Sequence, residues 1–204
     1  MEYWTDIITQ RSWDVSAELR KRYRFILIGG WAVYLWTRAL KSRDIDIILD
    51  FENLDKFKKQ YTLTKNDNLK KYNAKINEID IDIYVPYYSK LALPVENIMK
   101  ETSSIEGFAV PIPEILLILK QGAEIERRHS EKGEKDRIDI LQLLLKTDFN
   151  CKKYNELLKE NKLENFRKEL IFIVKNFKKI EYLNLNVVEY KKEKEIILKK
   201  IESD

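Results

Sequence analysis

Apolar residues recur at helical spacing over residues 1–23 (Trp4, Ile7, Ile8, Trp13, Leu19), which predicts one or two short helices. Arg24 to Ile28 is a short, β-leaning apolar run that stops at Gly29-Gly30, so a strand followed by a turn is expected. Trp31 to Leu40 returns to helical spacing. Asp44 to Phe51 then alternates, with Ile45, Ile47 and Leu49 on one face and Asp44, Asp46 and Ile48 on the other, as a half-buried strand requires. Glu52 to Tyr61 reads as a helix, and the polar stretch 62–75 as a loop or hairpin. Glu78 to Val85 alternates most strictly, with Ile79, Ile81, Ile83 and Val85 set against Glu78, Asp80, Asp82 and Tyr84.

The pattern changes beyond Pro86. One more short strand is expected near Phe108 to Val110. Pro113-Glu114 opens a helix, because proline suits the first helical turn. Residues 134–146 read as a further amphipathic helix, and residues 150–201 as three more, separated near Asn161 and Asn184. The expected fold class is α/β: a small mixed sheet with helices on one face over residues 1–112, followed by a helical C-terminal region over 113–204.

Composition narrows the possibilities without choosing among them. The chain has 204 residues, 44% of them hydrophobic, enough to bury a core. The longest apolar run, near Ile112 to Leu119, is broken by Pro113 and Glu114 and falls short of the roughly 20 residues that span a bilayer. The first residues lack the basic-then-apolar order of a secretory signal, so a cytoplasmic protein without a membrane partner is expected. A single cysteine, Cys151, excludes an intramolecular disulfide and an all-cysteine metal site. The formal charge of +4 falls in residues 151–204, which carry 14 Lys/Arg and 10 Asp/Glu, while residues 1–150 balance. That surplus is a weak footprint for RNA or an ordinary solvated helix surface.

The chemistry gathers around the predicted strands. Gly29-Gly30 ends a strand and opens a helix, so the backbone can approach a phosphate and the helix N-terminus favours an anion. Thirteen residues later comes Asp44-Ile45-Asp46, whose two carboxylates share one strand face. Asp80 or Asp82 adds a third on a later strand, with isoleucines again on the opposite face. Like charges side by side raise each other's cost of ionisation, and a cation would relieve it. Hard divalent ions take such oxygen donors.

Gly29-Gly30, the thirteen-residue spacing and Asp44-Ile45-Asp46 resemble the signature of the polymerase-β nucleotidyltransferase superfamily, and Asp82 within Ile81-Asp82-Ile83 resembles its distant third carboxylate. The resemblance implies a nucleotidyltransferase sheet and transfer of a nucleoside monophosphate from an NTP, with Mg2+ or Mn2+ on Asp44, Asp46 and Asp82. In that arrangement Asp82 serves the acceptor hydroxyl, and Asp80 stays open as the alternative. Gly29, Gly30 and Ser42 would bind the nucleotide, with Lys41 and Arg43 beside it. A second stretch, from Pro113-Glu114 through Leu117-Ile118-Leu119-Lys120 and Arg127-Arg128 to Lys135-Asp136-Arg137-Ile138-Asp139, resembles the downstream half of the AbiEii-type group, which includes toxins of toxin–antitoxin systems. It implies that Lys120 contacts the triphosphate and that Asp136 or Asp139 organises the site. It further implies tRNA or other RNA as acceptor and a cognate antitoxin as protein partner.

Blander roles stand beside each of these. Lys120 reads equally as a snorkelling surface lysine, Asp136 and Asp139 as helix-start residues, Arg127 and Arg128 as surface charges, and Trp31 and Trp36 as core. Tyr87 and Tyr88 follow the third strand within reach of a base. His129, the lone histidine, offers no nucleophile–base pair. Two other functions remain: a degenerate fold that binds nucleotide or RNA without catalysis, and transfer to a small-molecule acceptor.

Overall fold

The computed structural model of the chain describes residues 5–203, so Trp4 lies outside the described part. Two compact units meet in sequence at Ile112 and Pro113.

The first unit runs α1 (Asp6–Arg22), β1 (Ile26–Ile28), α2 (Gly29–Thr37), β2 (Ile45–Ile48), α3 (Phe51–Gln60), β3 (Thr64–Asn66), β4 (Lys71–Ile76), β5 (Ile79–Tyr84), α4 (Val95–Ile98), β6 (Thr102–Ile105) and β7 (Phe108–Pro111). The N-terminal segment forms one helix rather than two. Asp6 lies in its first turn and Arg20, Lys21 and Arg22 in its last, each matching the sign of the helix dipole there. The strand expected from Asp44 to Phe51 is shorter than the alternation suggests. Asp50 accepts a hydrogen bond from the Asn53 N–H at 2.7 Å and so caps α3, which claims Phe51. Ile48 is buried although it shares the Asp46 face. The polar stretch 62–75 resolves into the β3–β4 hairpin. One strand was expected beyond Pro86, and there are two, because β6 and β7 pair across the turn at Glu106-Gly107.

The seven strands form one mixed sheet in the order β3-β4-β5-β2-β1-β7-β6. β2 runs antiparallel to β1 and parallel to β5. Ile45, Ile47, Ile81 and Ile83 fill one face and are fully buried. α1 contacts β5 there, and α2 contacts β1 and β2. Within that layer Trp31 Nε1 donates to Ser12 Oγ at 2.8 Å, and the Trp13 ring lies 5.1 Å from the Trp31 ring. Four fully buried isoleucines each stabilise the fold by about 1.5–3 kcal/mol, so the register that sends them to this face also fixes the acids on the other.

The second unit is helical: α5 (Pro113–Arg127), α6 (Glu131–Lys146), α7 (Cys151–Glu160), α8 (Asn165–Asn176), a 3₁₀ turn (Ile180–Tyr182) and α9 (Val187–Ser203). α6 begins earlier than the predicted residue 134 because Ser130 caps it, accepting from the Gly133 N–H at 3.1 Å. A Cβ at Gly133 would collide with the Arg127 carbonyl, so the tight α5–α6 turn requires glycine. Leu170, Ile173 and Tyr154 anchor the core of this unit. No helix among the described residues is long and apolar enough to cross a membrane.

Candidate active site

The β1–α2 turn and the start of β2 form one construction. Gly29 stands in the left-handed region at φ +64°, and a Cβ there would overlap the Asp46 carboxylate. Glycine is therefore required twice, by the backbone and by the close approach of Asp46. Ile28 is the N-cap of α2 and supplies no side-chain oxygen to the first-turn N–H groups. Those donors point where the dipole also favours an anion. Gly30 follows in the same turn and is buried.

Asp46 lies directly opposite Ile28 on β1 and directly opposite Asp82 on β5. Asp46 and Asp82 are thus cross-strand neighbours on one face, at the roughly 4.8 Å spacing of paired strands. Asp80 is exposed and faces Lys75 across the β4–β5 ladder. Asp44 precedes β2 and accepts a hydrogen bond from Arg43 Nε at 3.0 Å. That bond, together with the Asp44 charge, raises the Arg43 guanidinium above its ordinary value. Ser42 is buried beside them, and Lys41 pairs with Asp6 at 3.0 Å.

Asp82 is held from β4 by Lys71 and Asn73, whose side chains alternate onto its face. Sequence reasoning missed both residues, because a polar stretch with no clear alternation does not reveal its register. The donor set fits a hard divalent ion in kind, with three carboxylates and two of them in cross-strand register. In this structure Arg43 and Lys71 supply the positive charge that Asp44 and Asp82 demand. Among the described residues no group of three acidic, histidine or cysteine side chains is gathered ready to hold a metal.

The residues expected near the triphosphate from the later stretch belong to the helical unit and form a buried ionic network. Lys120 Nζ lies 2.7 Å from Asp139 and 3.1 Å from Asp136. Asp136 also accepts from Arg127 at 2.7 Å, and Asp139 from Lys135 at 3.1 Å. Lys120 is therefore no snorkelling lysine, and Asp136 and Asp139 are not solvated helix-start residues; all three are buried. Arg127 and Arg128 are likewise more than surface charges, since Arg128 and Arg137 bracket buried Glu124 at 3.0 and 2.8 Å. Burial pulls the Lys120 ammonium down, but Asp139 and Asp136 outweigh it and hold Lys120 above its ordinary value. Burial of Lys135 is not recovered, and its ammonium is depressed. Asp136 is pushed up by burial and pulled further down by Lys120 and Arg127, ending below the usual carboxylate range. The sequence does not single out Glu124 and gives Lys135 no role beyond its place in the motif, and the i,i+4 spacing of Glu124 to Arg128 and Lys135 to Asp139 is the available signal.

Trp31 is core, as expected, and Trp36 Nε1 donates to the Pro111 carbonyl at 2.9 Å. Tyr88 packs 5.6 Å from Tyr72 and donates to Asp67 at 3.0 Å, whereas Tyr87 is 82% exposed.

Two solved structures share this architecture. JHP933 from Helicobacter pylori superposes at TM-score 0.53 over 98% of this chain and 95% of its own, with 18% identity. ANT(2")-Ia, in complex with adenylyl-2"-tobramycin, does so at TM-score 0.50 over 78% of this chain and 98% of its own, with 13% identity. The fold is nucleotidyltransferase-like. An antigenic nucleotidyltransferase-like protein from Paracoccidioides brasiliensis covers 84% of this chain and 93% of its own at 16% identity, but its TM-score of 0.43 is too loose to add to that statement. No family model matches the chain, and no curated protein sequence does.

Proposed function

We propose that this protein is a metal-dependent nucleotidyltransferase. The observation that carries the proposal is the register of Asp46 against Asp82, beside a glycine turn that admits the Asp46 carboxylate only because Gly29 has no Cβ. The acceptor oxygen bonds to the α-phosphorus, the bond to the α,β-bridging oxygen breaks, pyrophosphate leaves, and the acceptor hydroxyl gives its proton to the Asp82 carboxylate. Gly29 and Gly30 bring backbone N–H groups to the phosphates, with Ser42 alongside. Asp44 and Asp46 would hold the divalent ion, and Asp82, preferred to exposed Asp80, would orient the acceptor hydroxyl. Magnesium or manganese, when bound, offsets phosphate charge and acidifies the attacking hydroxyl. Arg43 and Lys71, paired here with Asp44 and Asp82, are the cations beside these acids that could meet phosphate. The resemblance extends the proposal to tRNA or another RNA as acceptor, to a toxin role with an antitoxin partner, and to the cytoplasm. The adenylyl-2"-tobramycin bound to ANT(2")-Ia supports a small-molecule acceptor as the alternative.

Incubation with each α-labelled NTP, magnesium and total RNA or a panel of small hydroxyl acceptors tests the reading. Label transfer is expected, and it should vanish in the Asp44→Asn/Asp46→Asn variant. Equal transfer by that variant would overturn the assignment. A second reading is favoured by one observation: Arg43 and Lys71 already neutralise Asp44 and Asp82. A nucleotide-binding module without catalysis would bind NTP equally well in EDTA, which calorimetry distinguishes.

A further inference from the structure

The balance of charge over residues 1–150 conceals a local excess. Residues 56–75 contain seven lysines and a single acid, Asp67. They cover the end of α3 and the β3–β4 hairpin, which forms the sheet edge next to β5, the strand of Asp82. Lysines on a solvated surface ordinarily extend into water or pair with acids. Here four of them lie over tyrosine rings: Lys58 over Tyr72 at 5.1 Å, Lys65 and Lys70 over Tyr88 at 4.9 and 5.6 Å, and Lys71 over Tyr84 at 6.0 Å. Lys58 and Lys70 have no carboxylate within ion-pair distance among the described residues, and Lys65 shares Asp67 at 2.8 Å. Immediately past β5, Tyr87 is held in the left-handed region at φ +60° with its ring turned to solvent. A non-glycine residue there is strained, and an exposed aromatic ring gains nothing from water. Lys71 directly follows Lys70 and lies on the other sheet face, where it meets Tyr84 and Asp82.

We propose that the hairpin tip and the turn at Tyr87 bind a single-stranded polynucleotide, with Lys65, Lys70 and Lys58 tracking its phosphates and Tyr87 stacking a base. Cations along a backbone path combined with an open π-face are what unpaired strands require, and they discriminate little between sequences. A compact phosphate or polyphosphate has no use for the ring, and a duplex keeps its bases stacked away from it. Lys65 shares its sheet face with Tyr72 and Ile83, while Lys71 and Asn73 share the Asp82 face, so a strand that turns over the edge at Lys70 and Lys71 presents its terminal hydroxyl for transfer. Only that last step rests on the nucleotidyltransferase reading.

The test is fluorescence anisotropy of the full chain with a labelled single-stranded oligoribonucleotide of about a dozen nucleotides, in parallel with the DNA equivalent, an RNA duplex, inorganic polyphosphate as competitor and phosphatidylserine vesicles. Lys65→Ala/Lys70→Ala should lower affinity and flatten the slope of log K against log salt by about 1.4, roughly 0.7 for each phosphate no longer neutralised. Tyr87→Ala should weaken binding about 5- to 100-fold with the slope unchanged. Lys191→Ala/Lys192→Ala, on the exposed face of α9, serves as the control and should bind like the parent. Parental binding by both surface variants overturns the proposal. So does preference for duplex, vesicles or polyphosphate with no effect of Tyr87→Ala. The Asp44→Asn/Asp46→Asn variant should still bind the oligonucleotide, which separates failure of the surface from failure of the chemistry: transfer to a small acceptor without strand binding sinks only the surface.

Discussion

In the sheet, Asp44 and Asp82 keep 27% and 23% of their side-chain surface in solvent, whereas in the helical unit Glu124, Asp136 and Asp139 keep 1%. Both sets are met by cations, yet the consequences differ. A partly exposed carboxylate paired with a flexible lysine exchanges partners at small cost, because water and counter-ions replace what is lost. A buried carboxylate deprived of its cation leaves an uncompensated charge in a poorly solvating interior. The sheet acids are arranged for chemistry that swaps one positive charge for another, and the helical acids for holding a shape.

The largest test of that contrast removes charge from the sheet. Asp44→Asn/Asp46→Asn should cost on the order of a thousandfold or more in nucleotidyl transfer, since metal-borne stabilisation amounts to several kcal/mol. Its melting temperature should stay near the parent's, as read by differential scanning calorimetry. The mirror experiment is Lys120→Ala. It leaves buried Asp136 with Arg127 alone and buried Asp139 with Lys135 alone among the described residues, and should destabilise by about 3 kcal/mol in urea titrations. Unchanged stability with a raised KM for NTP would instead make Lys120 a phosphate ligand.

Gly29→Ala comes next. A left-handed alanine costs about 1–2 kcal/mol and the overlap with Asp46 about as much again, so thermal denaturation should show a loss of about 2–4 kcal/mol together with lost transfer. The smallest effect is expected from Lys135→Met. Burial already depresses that ammonium, so removing it should change stability by no more than about 1 kcal/mol, in contrast to Lys120.

Acidity sharpens the same contrast. Asp136 titrates below its unfolded value, so its contribution is complete above about pH 4 and is lost as pH falls through the lower folded value. Lys120 is raised, so its contribution is complete below about pH 10 and is lost as pH rises through the raised value. Between those limits the part of the stability that rests on these two groups should be flat, and a urea series across pH would show slopes only at the extremes.

The isoleucine alternation makes β2 and β5 legible, and the glycine pair marks the turn beside them, so the neighbourhood of the carboxylates is readable in the sequence alone. The pairing of Asp46 with Asp82 is not, because strand order is a long-range property and the spacing of Asp80 and Asp82 is the same from either side. Lys71 and Asn73 stay hidden for a related reason: β4 lies between β3 and β5, but its residues come mostly from the polar stretch 62–75, whose pattern marks the register only weakly. The helical network was misjudged because charge normally signals exposure. Lys120, Asp136 and Asp139 lie on helices whose apolar faces are broad enough to enclose them, and mutual pairing is what permits it. Counting charge over 150 residues likewise averaged away the lysines of one hairpin.

Trp31 stands two residues beyond Gly29, its indole N–H on Ser12 and its ring against Trp13 at 5.1 Å with a 46° tilt. Two indoles that close and that skewed couple their electronic transitions and give a paired signal in circular dichroism, absent from either ring alone. The protein therefore carries its own optical gauge at the glycine turn. A ligand that shifts α2 against α1 would alter that signal before any helix unwinds, without a label and without turnover.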